Sequence, residues 1–218
     1  MRFPIFFFLI SLILISCKEK QGINQWIKED LAKPKPVANF EISTEDLPKN
    51  KVVSEHAHSS ITFRVGHWEI VDLFGWFRDF EAVMYHDEAD FSDALIEARV
   101  NPKAVILPAP QMEGHIQNPE YFHSDKYPFI VFKSRKMKPV GGNKYKLLGD
   151  LIIKETKLEK ELDVTFNGYA YPEKSISGWK VNGFVTQTEL GWENTAKLHS
   201  GRMSLNDTIW FEANLRMQ

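Results

Sequence analysis

The sequence predicts an all-β protein, in which about eight antiparallel strands close into a barrel behind a signal peptide and a polar tether. From Ser59 onward apolar and polar residues alternate with a period of two, which is typical of strands buried on one face. Turn-forming residues separate several of these segments, as at Gly141-Gly142-Asn143. The long apolar run, residues 3–16, precedes all of them. Together these observations favour a single β domain, residues 52–218, behind an N-terminal arm.

Residues 1–16 have the parts of a secretory signal peptide. Arg2 precedes the apolar run, which is shorter than the roughly 20 residues that a membrane-spanning helix needs. The run ends in Leu14-Ile15-Ser16-Cys17, which resembles a bacterial lipobox and implies cleavage before Cys17 and lipidation of its sulfur. The alternatives are a plain signal peptide with an incidental cysteine, and an uncleaved anchor. We expect a lipoprotein of a bacterial envelope, with its domain on the non-cytoplasmic side.

Residues 17–51 form the predicted tether, rich in Lys, Glu, Pro and Asn. Within it, Ile23, Trp26 and Leu31 recur at helical spacing and predict a short amphipathic helix. Lys18 follows the cysteine, and by resemblance to lipoprotein sorting the absence of Asp there favours the outer membrane.

The domain itself contains eight alternating segments. They lie at 61–65, 74–85, 94–100, 129–137, 145–153, 158–166, 179–185 and 209–215. Such strands form a sandwich or a barrel, and an eight-stranded barrel has room for packed side chains or one small ligand. A membrane porin would invert the pattern and place large charged groups such as Glu97 and Arg99 in its lumen, so a barrel with an apolar lumen is simpler. Residues 102–128 carry five prolines and predict a long connection, with one helical turn at 119–122.

Charge and motifs argue against several functional classes. The net charge of −2 provides no basic field for nucleic acid. The sequence has no nucleophile elbow, phosphate-binding loop or zinc-protease helix, and we expect neither an enzyme nor a cofactor. A hydrolase could be assembled only from scattered residues such as His58, Ser59 and Asp79.

The histidines suggest a second hypothesis, a metal-binding envelope protein. His56 and His58 would face the same side of an extended strand and, with His67 or His115, could hold zinc or copper. They could equally cap strand ends without a metal. A third hypothesis is an interaction module that uses residues 102–128. A homodimer remains open under each hypothesis.

A family resemblance favours a different function. The chain resembles the YceI-like family, the lipocalin-like polyisoprenoid-binding proteins, over about 52–217, through an ordered set of segments: 58–67, 74–80, His115, Tyr121-Phe122, 126–134 and 145–153. The resemblance implies an extended eight-stranded antiparallel barrel whose apolar tunnel holds an isoprenoid or another long-chain lipid. It implies no catalytic mechanism.

The same resemblance suggests where a ligand would bind. The expected tunnel positions are Phe63, Val65, Phe77, Phe132 and Leu147, although each could instead be ordinary barrel core. His58 and His115 are the expected polar groups at the mouth. Met112 and Gln187 stand where the family usually has arginine, and Glu155 stands where it usually has glycine. We therefore expect a neutral or weakly polar head group, such as that of a quinone or prenol, rather than a pyrophosphate.

Overall fold

A computed structural model describes residues 47–170, 175–192 and 204–218. The expectations for the signal peptide, Cys17 and the helix of the tether concern residues outside these ranges. In the ranges described, no helix combines the length and the apolar character needed to span a membrane.

Within these ranges, eleven strands form one antiparallel sheet that curls into a half-barrel. The strands are β1 (Asn50–Val53), β2 (Ser60–His67), β3 (Val71–Phe77), β4 (Phe80–His86), β5 (Leu95–Val100), β6 (Val105–Ile106), β7 (Ile130–Gly141), β8 (Lys144–Ile153), β9 (Thr156–Tyr169), β10 (Ser177–Thr186) and β11 (Leu205–Met217). Their order across the sheet is β1-β4-β5-β7-β8-β9-β10-β11-β2-β3-β6. The all-β antiparallel class is confirmed, but the predicted count of eight strands is wrong.

Three departures account for the difference in strand number. The predicted segment 74–85 is two strands, because β3 pairs with β2 and β6, whereas β4 pairs with β1 and β5. Arg78 and Asp79 form the corner between them, where the Arg78 amide donates to Ala104 and the Asp79 carbonyl accepts from Asn101. β6 has only two residues, and β1 begins at Asn50, inside the predicted tether.

The N-terminal strand meets the end of the chain. The amide of Val53 donates to the carbonyl of Gln218 at 2.9 Å, and the Gln218 amide donates back to Val53 at 3.0 Å. Ser54 bridges to Met217 beside this pair. These bonds join β1, at one end of the strand order, to the far end of β11, so they hold the sheet in its curl.

Helical structure in the described part of the chain is short. One α-helix, α1, spans Pro110–His115 and has a proline in its first turn, and 3₁₀ turns cover His56–His58 and Pro102–Ala104. The predicted helical turn at 119–122 is wrong, because those residues form hydrogen-bonded turns instead. A proline in the first turn of a helix is found at Pro110, and not at Pro119 as predicted.

The two faces of the sheet explain the alternating pattern of the sequence. The concave face is apolar. The outer face of β7–β9 is charged, with ion pairs such as Arg135–Glu159 at 2.7 Å and Lys157–Asp150 at 2.8 Å. The outer face around β2, β3, β10 and β11 carries exposed aromatic side chains: Phe74, Trp76, Phe184 and Trp210.

Candidate ligand-binding cavity

The concave face encloses a cavity of about 230 Å³. Every described strand except β1 and β6 contributes side chains to its wall, as do residues 116–122 and the turn after β10. Almost no polar atom is exposed on the wall, and none of the described residues that line it carries a charge. Such a cavity favours a hydrocarbon chain, because burial stabilises apolar surface by roughly 25 cal/mol per Å².

The structure places all five expected tunnel residues on this wall. Phe63 and Val65 come from β2, Phe77 from β3, Phe132 from β7 and Leu147 from β8. They share the wall because inward positions recur every second residue, and neighbouring strands pair in register: Phe132 lies opposite Leu151, and Leu147 opposite Leu162. That these residues contact a ligand stays a prediction.

A cluster of four aromatic rings fills one end of the half-barrel; we call it the closed end. Its members are Phe91, Tyr145, Phe166 and Trp179. The Trp179 ring lines the cavity and lies 4.8 Å, centroid to centroid, from Phe91 and 4.7 Å from Phe166. The Trp179 indole N–H donates to Ser177 Oγ at 3.0 Å, which fixes the orientation of the ring. Burial raises the pKa of the Tyr145 hydroxyl, as expected for a phenol in an apolar cluster.

Phe91 reaches the closed end from the loop between β4 and β5. Its φ is +58°, in the left-handed region that costs a residue with a side chain roughly 1 kcal/mol or more. The loop is held by local bonds: Asp93 accepts from the amides of Asp87 and Glu88, and Asp90 accepts from Ser92. The backbone is thus kept in a strained conformation that buries a phenyl ring between strands.

The opposite end of the cavity is formed by the turn after β10 and the start of β11; we call it the Gln187 end. Gln187 is 1% exposed, and its side-chain amide donates to the carbonyl of Asn206 at 2.8 Å. Leu190 and Trp192 complete this part of the wall, and the Trp192 ring packs against Tyr121 and Phe122. The Gln187 amide is uncharged and already bound to Asn206, so it provides no cation to a ligand.

An ion pair holds the turn at the Gln187 end in place. Lys160 Nζ on β9 lies 2.8 Å from both carboxylate oxygens of Glu189, which also accepts from the amide and hydroxyl of Thr186. The hydrogen bond from Lys160 holds the pKa of Glu189 below its usual value.

The two histidines expected at a polar mouth do not line the cavity. His58 is exposed, and its Nδ1 lies 2.6 Å from Glu55 Oε2. Its predicted extended backbone is wrong, since the Glu55 carboxylate accepts from the amides of Ala57 and His58 and caps a 3₁₀ turn. His115 is exposed at the end of α1, where its ring packs against Tyr121, which does line the wall.

The structure also separates the other candidate constellations. His56 packs its ring against Phe80, 5.3 Å between centroids, and shares no metal-type cluster with His58; among residues 47–170, 175–192 and 204–218, no three His, Cys, Asp or Glu side chains gather to hold a metal. Ser59 Oγ accepts from the Arg216 amide, whereas Asp79 accepts from Asn101. His58 and Ser59 thus both contact Arg216, whereas Asp79 contacts Asn101, and none of these bonds joins the three residues to one another.

Sequence reasoning missed the contribution of the proline-rich connection. Ile116, Tyr121 and Phe122 lie in it and cover the cavity wall beside Trp192. The sequence offered one usable signal, an adjacent aromatic pair in an otherwise polar segment. Leu190 and Trp192 were also missed, because a turn has no period from which an inward face can be read.

Comparisons with known proteins agree with this fold. A UPF0312 protein of Staphylococcus aureus is 26% identical over 161 residues, which cover 72% of this chain and 91% of that protein. The crystal structure of Burkholderia cenocepacia BcnA superposes with a TM-score of 0.64 at 18% identity, covering 75% of this chain and 98% of BcnA. A polyisoprenoid-binding domain from Saccharophagus degradans, implicated in plant cell wall breakdown, superposes with a TM-score of 0.59 at 10% identity, covering 79% and 99% of the two chains.

The family model supports the same assignment over most of the chain. The model of the YceI-like domain matches residues 53–217, from the end of β1 to the end of β11. The match spans every strand that lines the cavity, and the protein therefore belongs to the YceI-like family.

Proposed function

We propose that the domain binds the hydrocarbon chain of one amphiphile, isoprenoid or acyl, in the cavity of the half-barrel. The observation that carries the proposal is the wall itself, which is apolar on every described strand that contributes to it. The polyisoprenoid-binding domain of Saccharophagus degradans, with the same fold, makes an isoprenoid the first ligand to test.

The head group of the ligand is neutral or weakly polar in this proposal. A charged head inside the cavity would lose its hydration and find no opposite charge, which costs several kcal/mol. Met112 is exposed on α1, and the Gln187 side chain is already bound to Asn206. A prenol or a quinone fits these surroundings better than a prenyl pyrophosphate.

The proposed place of action is the bacterial cell envelope, with the protein anchored through lipidated Cys17. The support is the apolar run of residues 3–16 followed by the lipobox-like segment that ends in Cys17. An anchored carrier would take up or release its ligand close to a bilayer, where long apolar chains reside.

Ligand binding can be tested on residues 39–218 purified without detergent. This part forms one compact unit, and the matched region makes up 98% of BcnA, which folds as an independent chain. Native mass spectrometry should detect a bound lipid, or uptake of one added geranylgeraniol molecule per chain, with weaker uptake of geranylgeranyl pyrophosphate. A bare mass, with nothing extracted by organic solvent and nothing taken up, would contradict the proposal.

A pair of substitutions on β2 and β3 separates binding in the cavity from adhesion to the surface. Phe63→Asp places a carboxylate on the cavity wall, and we expect it to abolish uptake. Phe74→Asp changes the same residue type on the outer face and should leave uptake intact. Circular dichroism must show that both variants keep their strand content.

A further inference from the structure

We propose that the aromatic cluster at the closed end sets the maximum length of the bound chain. This inference rests on the proposed function and adds a limit to it: the longest chain that fits entirely inside has between about two and four isoprene units, or is an acyl chain of similar length.

The volume of the cavity gives the first estimate. An apolar cavity of about 150 Å³ holds one benzene molecule, which has six carbons, so 230 Å³ corresponds to roughly 9 non-hydrogen atoms. An isoprene unit has five carbons, and the cavity volume therefore corresponds to about two of them.

The length of the cavity gives a second, independent estimate. Trp179 and Gln187 mark its two ends on the same stretch of chain, eight residues apart. At about 3.4 Å per residue, and with strands tilted by about 40°, the ends are separated by roughly 20 Å along the axis. Because a C–C bond is about 1.5 Å long, a zigzag chain of about 16 carbons covers the same distance. The volume thus gives a lower figure of about two isoprene units, and the length gives an upper figure of about four.

The closed end has the features of a rigid stop. Trp179 is the cluster member that lines the cavity, and Phe91, Tyr145 and Phe166 pack behind it without lining it. Phe91, Tyr145 and Trp179 are all more than 90% buried, and the Trp179 indole is fixed by Ser177. A chain that extends along the cavity as far as the closed end therefore meets a ring that cannot turn aside without displacing its neighbours.

The strain at Phe91 is a separate observation that points to the same role. A phenylalanine is held at positive φ in a loop that Asp90 and Asp93 fix by local bonds, and its ring lies edge-on against Trp179. A glycine or asparagine would satisfy this backbone more easily. The loop thus holds Phe91 in a strained backbone conformation in which its ring packs against Trp179, at the closed end of the cavity.

The test uses a mixture of all-trans prenols of two to eight isoprene units, offered to residues 39–218 without detergent. Bound prenols are extracted and quantified, and the longest one retained defines the cutoff. The unmodified chain should show a cutoff between about two and four units. Trp179→Ala removes nine ring atoms from the wall and should move the cutoff up by about one to two units. Phe91→Leu leaves the residues of the cavity wall unchanged but removes the ring that packs behind Trp179. We expect this variant to retain a fraction of prenols that are longer than the cutoff of the unmodified chain.

Val181→Phe is the variant that works in the opposite direction. Val181 lines the cavity two residues from Trp179, so a larger ring there should shorten the longest retained prenol by about one unit while keeping the barrel filled. Phe184→Ala, on the outer face of the same strand, is the matched control and should leave the cutoff unchanged.

The outcomes distinguish this inference from the proposed function. Shifts in opposite directions for Trp179→Ala and Val181→Phe, in folded protein, would support the length limit. Equal retention of all prenols, or a cutoff that none of the lining variants moves, would overturn the length limit and leave ligand binding standing. Failure of the unmodified chain to bind any prenol, fatty alcohol or quinone would overturn the proposed function, and the length limit with it.

Discussion

Lys160 and Glu189 form an ion pair in which one ammonium group lies 2.8 Å from both carboxylate oxygens, joining the middle of β9 to the turn that follows β10. The Lys160 side chain is only 10% exposed, so its charge is largely removed from water and depends on this partner. The pair holds the turn that carries Gln187 and Leu190 against the end of the cavity.

The first prediction concerns the pH dependence of this pair. Because the pKa of Glu189 is lowered in the folded protein, its contribution to stability is complete above the ordinary Glu pKa of about 4.3 and is lost as the pH falls through the lower, folded value. Glu189→Gln should reduce the free energy of unfolding by about 1 kcal/mol at neutral pH, a figure already discounted for the partial exposure of Glu189.

Urea unfolding from pH 7 to pH 3 checks this expectation. The difference between the unmodified protein and Glu189→Gln should shrink below about pH 4. Glu120→Gln, at an exposed glutamate, is the control and should change little. A difference that stays constant over the whole range would show that the lost stability does not come from the charge of Glu189.

The second prediction concerns the close approach of β7 and β8 at Gly149. A Cβ there would overlap the Lys133 carbonyl oxygen and lie 2.8 Å from Ser134 Cα, so the backbone itself must move. Gly149→Ala should reduce the free energy of unfolding by about 1–3 kcal/mol. Gly114→Ala, in α1 with open space around it, should be neutral or stabilising by up to about 1 kcal/mol. Thermal unfolding of the two variants side by side measures the contrast, and equal melting temperatures would contradict it.

The third prediction compares one residue type on the two faces of the sheet. Phe132 is buried on the cavity wall, and Phe132→Ala should reduce the free energy of unfolding by about 3–5 kcal/mol. Phe184 is 45% exposed on the outer face, and Phe184→Ala should cost less than about 1 kcal/mol. Chemical unfolding of both variants decides the matter; similar losses would mean that the outer aromatic residues contribute as much as the wall.

The fourth prediction concerns the proposed anchor. Cys17→Ala removes the sulfur that would carry the lipid, so the variant should accumulate in the soluble fraction or remain as an unprocessed precursor. Membrane fractionation and the mass of the N-terminal peptide distinguish these results from the unmodified protein. A variant that is cleaved normally and still sediments with membranes would contradict the lipoprotein proposal.

The inward residues could be predicted from sequence because a strand with one buried face repeats every two residues. Phe63 and Val65, for example, stand out against Arg64 between them. The corner at Arg78-Asp79 was not predicted, since buried phenylalanines, Phe77 and Phe80, lie directly on either side of it and the apolar pattern resumes at once. What ends β3 is a change of hydrogen-bonding partners, with Ala104 and Asn101 distant in sequence.

The site was predicted where it lies on strands and missed where it depends on turns. His56 and His58 have strand spacing, but Glu55 accepts from two successive amides and converts the segment into a 3₁₀ turn. Phe91 gave no signal at all, because its position in the closed end follows from a loop held by Asp90 and Asp93. In both cases a nearby carboxylate accepts hydrogen bonds from backbone amides, and these bonds replace those of a regular strand.

The pairing of β11 with β2, and of Val53 with Gln218, has a consequence for the order of folding. β11, which pairs with β2, is synthesised about 145 residues after it. One edge of β2 therefore stays unpaired until the end of the chain has been made. Joining such distant segments slows folding and exposes strand edges to aggregation in the meantime. Refolding in vitro should therefore be slow and sensitive to protein concentration.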